Sequence, residues 1–190
     1  MIKELVSKTR SVRRFRQGEK ISGESLRELV ELARLSASAS NRQPLKFMLS
    51  CEPGKNAVIF RHLAWAGALK NWGGPAEGER PAAYIIILGD TRISKDFGVD
   101  HGIAAQSIVL GAREKGYGAC MVGSIKREEL RQSLAIAGHL EILLVLALGV
   151  PAETVVLEDA VPGGPVTYYR DEKDSHHVPK RTLEELIVGG

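Results

Sequence analysis

The stretch "AAYIIILG", residues Ala82–Gly89, is an apolar, β-branched run of strand length. Successive side chains of a strand point to opposite faces, so a run with no polar alternation expects apolar cover on both. "EILLVLALG", Glu141–Gly149, has the same character and predicts a second buried strand. Working outward, "LKFMLS" (45–50) alternates enough to be a strand, and "GACMVGSI" (118–125) reads as a short strand or extended loop. The cover comes from helices. "ISGESLRELVELARL" carries Leu26, Leu29, Val30 and Ala33 at helical spacing, with Ser22 as N-cap and an end near Leu35. Further helices are expected over "MIKELVSKT", "PGKNAVIFRHLAWAGALK" (53–70), about Asp100–Lys115 with Gly116 at its C-cap, and "KREELRQSLAI" (126–136). "NWGGPAEGERP" (71–81), dense in Gly and Pro, reads as loop. The tail "VTYYRDEKDSHHVPKRTLEELI" reads as polar and irregular, strand-like only at "TYY", before a short amphipathic helix. Strands alternating with helices predict an α/β or α+β layered fold.

The bulk composition excludes several classes. The chain has 190 residues, enough for one domain over 1–190 with a substantial core. Its 44% hydrophobic and 26% charged residues argue against disorder. A net charge of +3 gives no ground for a nucleic-acid or membrane partner. The two cysteines, Cys51 and Cys120, have no metal-ligand spacing and favour a reducing cytoplasm. "MIKELVSKTRSVRRF" carries charges where a secretion signal needs an apolar core, and the apolar runs are too short to span a bilayer.

Several stretches could carry chemistry. "TRSVRRFRQGEK" sets Arg10, Arg13, Arg14 and Arg16 beside Ser11, a set of forks and a hydroxyl suited to phosphate, or a solvated basic segment. "SASASNRQP" (36–44) follows a helix with small residues and carboxamides, which allow close backbone approach to a flat ligand; it also reads as an ordinary helix end and loop. The glycines of "GYGACMVGS" fit no nucleotide fingerprint, because a helix precedes them. In "HHVPKR" the adjacent histidines lack a third ligand at metal spacing, while Lys180 and Arg181 read as anion contacts. Asp100–His101, at a helix start, reads as a cap beside a surface side chain. No nucleophile motif is present, and anion-binding groups without a catalytic side chain point to a bound cofactor.

Taken together, "RSVRRF", "ARLSASASNRQPLKF", "DHGIAAQSIVLGAREKGYGACMVG", "LALGVP" and "PKRTLEELI" resemble, in order and over nearly the whole chain, the flavin-dependent nitroreductase family. The resemblance implies a three-layer α+β fold with a central mixed β-sheet flanked by helices. It implies a homodimer in which the C-terminal extension is exchanged, and one FMN per half-interface. Arg10 and Ser11 match positions that hold the FMN phosphate and ribityl chain; the family often has Arg where this chain has Thr9. Arg13 matches the cation beside the pyrimidine edge. Ser38, Ala39, Ser40, Asn41 and Gln43 match the segment reaching the flavin from the second subunit. Cys120, Met121, Val122 and Gly123 match the strand whose backbone passes the ring, and Lys180 and Arg181 a late basic pair on the phosphate. The implied reaction is ping-pong hydride transfer from NAD(P)H through the flavin to a nitroaromatic or quinone, with no catalytic side chain and no metal. Dehalogenation, dehydrogenation, flavin breakdown and non-catalytic flavin binding are the alternatives. Trp65 and Trp72 read as pocket wall or as core.

Overall fold

The computed structural model of the chain describes residues 1–69 and 72–189. Residues 70, 71 and 190 lie outside them, and with them the join between the predicted helix 53–70 and the loop 71–81. In chain order the elements are α1 (Ile2–Lys8), α2 (Gly23–Arg34), a 3-10 turn (Ala39–Asn41), β1 (Leu45–Ser50), α3 (Pro53–Arg61) and β2 (Ala83–Asp90). Then come α4 (Asp100–Glu114), β3 (Gly118–Val122), α5 (Arg127–Ser133) and β4 (Leu140–Gly149). The chain closes with β5 (Val155–Asp159), β6 (Tyr169–Arg170), β7 (His176–Lys180) and α6 (Leu183–Leu186).

The central sheet runs β1-β2-β4-β3 with antiparallel neighbours. Across its described strands the expected mixed sheet is thus antiparallel; an isolated bridge beside β3, Ser11 to Ala119, is parallel. Every residue of β2 is buried, as the opening run requires. Ala83, Ile85 and Ile87 face a layer formed by α2 and α4, through Leu26, Leu29, Ala105 and Ile108. Tyr84, Ile86 and Leu88 face the opposite layer, with Ile59 of α3, Leu130 of α5 and Trp65. Each fully buried Ile contributes roughly 2 kcal/mol by area burial. That is the three-layer α+β arrangement.

Local signals behave as the sequence predicts at several ends. Ser22 Oγ accepts from Ser25 N at 3.0 Å, capping α2. Gly116, at φ +82°, directly follows the α4 C-cap Lys115. The helix expected over 53–70 is shorter. It stops at Arg61 because the chain turns to the sheet: Leu63 bridges Ile125, and Ala64 N donates to Ser124 O at 2.9 Å. Trp65 is therefore core, 5.9 Å from the Phe60 ring, while Trp72 lies under Arg170, 4.8 Å from its guanidinium carbon.

The tail is the largest departure. Instead of an irregular run it forms a second sheet, β5-β7-β6, with β5 parallel to β7 and β6 antiparallel to it. It packs on its own chain: Arg170 Nη2 meets Glu153 Oε2 at 2.7 Å, and Arg14 pairs with Asp174. No hydrophobic period marks these strands; backbone pairing of β7 with β5 and β6 joins them, with His177 set between Glu158 and Asp171.

Candidate functional site

Two glycines set the basic segment against the sheet. A Cβ on Gly118 would lie 2.8 Å from Val12 Cβ, and one on Gly149 would lie 2.8 Å from Phe15 Cβ. The bare backbone at both positions lets Val12 and Phe15 bury themselves on the sheet end. Val12 N donates to Ala119 O at 2.9 Å and Arg16 N to Val150 O at 2.8 Å, so residues 12–16 are pinned at both ends. Between them, Glu153 accepts from the backbone N–H of Arg13 and of Arg14. The remaining side chains, Arg10, Ser11 and Arg13, are left to face a cavity.

That cavity, about 370 Å³, is lined by Thr9, Arg10, Ser11, Arg13, Gln106, Val109, Ala119, Met121, Tyr168, His176, Val178 and Lys180. Among the described residues that line it, three are permanent cations and none is a carboxylate. Arg10 Nη2 donates to Val6 O at 2.8 Å, while its buried Nε has no partner among the described residues. Arg13 Nη1 donates to His176 Nε2 at 3.0 Å, and its guanidinium lies 4.7 Å above the Tyr168 ring centroid. His176 is 1% exposed, and its Nδ1 is also buried without a partner among the described residues. Burial, with the Arg13 and Arg170 charges beside it, pushes its pKa down to about 4. On β3 the pleat turns Met121 outward at 37% exposure and Cys120 and Val122 inward, where burial raises the Cys120 thiol to about 11. The cavity is thus a cationic concavity with unmet donors.

Of the residues expected at the site, Arg10, Ser11, Arg13, Met121 and Lys180 come together here. Val122 and Gly123 do not line the cavity: the Val122 side chain belongs to the core beside α5, and Gly123 follows it directly, past the strand end. Arg181 does not line the cavity: it lies 3.6 Å from Glu185 Oε1. Nor do Ser38, Ala39, Ser40, Asn41 and Gln43. Ser38 and Gln43 line a different opening of about 610 Å³ between α2, β1 and the start of α4. Ser38 Oγ donates to Asp100 Oδ2 at 2.6 Å and Ala39 N to Asp100 Oδ1 at 3.0 Å, and Gln43 N donates back to Ser38 Oγ at 3.0 Å. Ser40, Asn41 and Gln43 are exposed, in left-handed conformations at φ 51°, 53° and 51°. Within one chain the two halves of the predicted site stand apart.

Asp100 corrects the sequence reading. It is 3% exposed and fastens the 38–39 turn, whereas Val99 stands at the N-cap of α4. Glu153, Tyr168 and Gln106 carry no sequence signal, and His176 enters the sequence reading only as one of two adjacent histidines without a third metal ligand. The pair "HH" was the one visible signal for His176, and it misled, because the two rings part company. His177 turns to Glu158, at 2.9 Å, and to Asp171, at 3.2 Å, which raise its pKa. Among the described residues no group of three or more His, Cys, Asp or Glu forms a metal-ligand cluster, and both cysteines are free thiols.

These observations agree with what comparison finds. A protein of Archaeoglobus fulgidus, provisionally named an NADH dehydrogenase/NAD(P)H nitroreductase, is 27% identical over 158 residues, covering 79% of this chain and 85% of that protein. A Cr(VI) reductase of Pseudomonas sp. strain G-1 is 27% identical over 207 aligned positions, 94% of this chain and 79% of the reductase. A Desulfovibrio desulfuricans protein solved in complex with FMN shares the fold, with a TM-score of 0.71 at 22% identity over 100% of this chain and 96% of that one. The model of the nitroreductase family matches residues 6–150, a span that holds the whole central sheet and the basic segment. The chain belongs to the nitroreductase family.

Proposed function

We propose that the chain is a cytoplasmic, FMN-dependent oxidoreductase, a single domain over residues 1–190 that works as a homodimer. It takes electrons from NAD(P)H and gives them to an electrophilic acceptor such as a nitroaromatic or a quinone. The observation that carries the reading is the cavity with three cations, no carboxylate and two buried donors, Arg10 Nε and His176 Nδ1, awaiting acceptors. Those features fit a ligand that is both a phosphate dianion and a flat, acceptor-rich ring. The volume of about 370 Å³ is near the low end for small-molecule sites, as expected of a site that a second copy completes.

Arg10, Ser11 and Lys180 would hold the phosphate, the guanidinium as a fork and the ammonium as a point charge. Arg13 would stand at the pyrimidine edge, where a fixed cation favours the electron-rich form. Met121 and the backbone at Val122 and Gly123 would face the ring. When bound, FMN would supply the two-electron redox chemistry that links NAD(P)H oxidation to reduction of the acceptor in a ping-pong sequence. No side chain of the cavity has to act as nucleophile or base. Ser38–Asn41 and Gln43 would serve the partner's cofactor, which accounts for their exposure and their distinct opening. Leu183, Leu186 and Ile187 of the α6 region are exposed and apolar, the surface that a C-terminal exchange would cover. Among the described residues no helix is long and apolar enough to cross a membrane.

The test is direct. The purified protein should be yellow, its flavin absorbance should bleach with NADH or NADPH, and menadione or a nitroaromatic should restore it. Initial rates against both substrates should give parallel double-reciprocal lines. A colourless protein that takes up no added FMN would refute the reading. Tight FMN binding without turnover on any acceptor would leave a flavin-binding dimer instead.

A further inference from the structure

Of the two ring nitrogens of His176, the ligand reading above uses only Nδ1; Nε2 is turned to Arg13. His176 lies on β7, the middle strand of the tail sheet, where its backbone N donates to Thr154 O at 2.9 Å. Its ring reaches the basic segment 163 residues earlier in the chain, at Arg13 Nη1. A guanidinium only donates, so Nε2 must offer its lone pair and the ring proton sits on Nδ1. Tyr168, from the same tail, closes the other side: its ring centroid is 5.2 Å from that of His176 and 4.7 Å from the Arg13 guanidinium carbon. Apart from these two contacts, the described partner of the guanidinium is a long approach to Ser11 O at 3.5 Å.

The arrangement is unusual in its charges. Arg13, Arg170 and the neighbouring His177 each disfavour a charged ring at His176. Glu153, the nearby carboxylate, is committed to Arg170 Nη2 and to the backbone N–H of Arg13 and Arg14. A histidine among cations and buried to 1% exposure can only be a neutral acceptor. A long arginine side chain loses much rotamer freedom when it is fixed, so a fixed orientation needs a partner that holds it.

We propose that His176 is a positioning residue for Arg13: together with Tyr168 it fixes, from the chain's own tail, where the Arg13 charge falls in the cavity. This rests on the cofactor reading above, in which Arg13 stands at the pyrimidine edge. It also ties the tail sheet to redox function, since opening that sheet would release the guanidinium.

Two substitutions separate this role from simple filling of space. His176→Phe keeps a planar ring and removes the acceptor; His176→Gln keeps an acceptor oxygen near the position of Nε2. Both are first checked for wild-type circular dichroism and a cooperative melt. In His176→Phe the FMN dissociation constant should rise roughly tenfold, the size expected when a hydrogen bond to a charged group is lost. The flavin midpoint potential should fall as well, and His176→Gln should restore most of both. A His176→Phe protein that is folded and has wild-type affinity and potential would overturn the proposal, as would Phe and Gln variants equally impaired. A second arm needs no cofactor. In the apo protein, nitrogen NMR should show the His176 proton on Nδ1 at neutral pH, and Arg13→Gln should move its titration upward. An unmoved titration would mean that the two side chains are not in contact. Should the wild type take up no FMN, the cofactor reading falls, while this second arm still decides the contact.

Discussion

Glu153 shows how one buried carboxylate can order a segment whose own charges would scatter it. Its side chain is 2% exposed, and one oxygen takes the backbone N–H of Arg13 and Arg14 while the other takes Arg170. Breaking a buried pair leaves the partner charge unmatched, at a cost of about 3–5 kcal/mol. Asp174 remains beside Arg170 at 3.2 Å, so Glu153→Ala should destabilise by the lower end, about 3 kcal/mol, read as a fall in melting temperature. FMN should dissociate faster from the same variant, because residues 13–14 lose their anchor. Arg13→Gln isolates the charge itself. The flavin potential should fall and the FMN dissociation constant rise, while the melt of the apo protein stays near wild type; an unchanged potential in a redox titration would remove Arg13 from the pyrimidine edge. Of the cavity residues, Arg10, Ser11 and Arg13 were legible in the sequence because they sit in one contiguous motif, and Met121 and Lys180 because each lies in a motif of its own. Asp100 meets Ala39, Glu153 meets Arg14 and His176 meets Arg13 across 61 or more positions, and no local pattern records such pairings.

Among the elements, the contact of the basic segment with the sheet end and the tail sheet decide how the cavity is built. Gly149 ends β4 directly beneath Phe15, which is fully buried and cannot swing aside. Gly149→Ala should therefore overpack this contact, costing about 1–3 kcal/mol, and a melt within 1 kcal/mol of wild type would show that the segment can shift. The tail sheet carries two histidines of opposite sign. Glu158 and Asp171 raise the pKa of His177, so its stabilisation is complete below the unfolded value of about 6.5 and is lost as pH rises through the higher folded value. His176 is held down to about 4, so stability is lost as pH falls from about 6.5 toward that value. Amide protection in β7 should accordingly peak near pH 6.5, about the unfolded histidine value, and decline on both sides. His177→Asn should abolish the alkaline decline alone, and hydrogen exchange across pH 5 to 8.5, on the order of the histidine range, reads it. A monotonic profile would mean that one of the two rings is misassigned.

For the molecule as a whole, the question is what covers its exposed apolar surfaces. Leu183, Leu186 and Val188 are 64%, 63% and 95% exposed, and Val99 and Ile103 leave one side of α4 apolar as well. Exposed apolar patches of this kind mark association surfaces. The double substitution Leu183→Glu with Leu186→Glu should convert a dimer to a monomer of about half the mass by light scattering. Bound FMN should be lost with it if, as proposed, the second copy supplies the Ser38–Gln43 half of the site. A variant that stays dimeric would place the interface elsewhere, with α4 as the next surface to test.

The sequence by itself determined the layers and the family. Buried strands need apolar residues on both faces, helices need them every third or fourth position, and both patterns survive in a linear string. It also carried the half of the site that one motif holds, from Arg10 to Arg13. Tertiary structure alone decided the rest. It ended α3 at Arg61 to let Leu63 reach Ile125, folded a polar tail into a sheet and set His176 against Arg13. It also assigned Asp100 to the turn at Ser38 rather than to its own helix. Each of these rests on polar or backbone pairing between distant segments. Such pairing has no periodicity, so only the folded chain, by removing those groups from water and bringing them within hydrogen-bond reach, selects the partners.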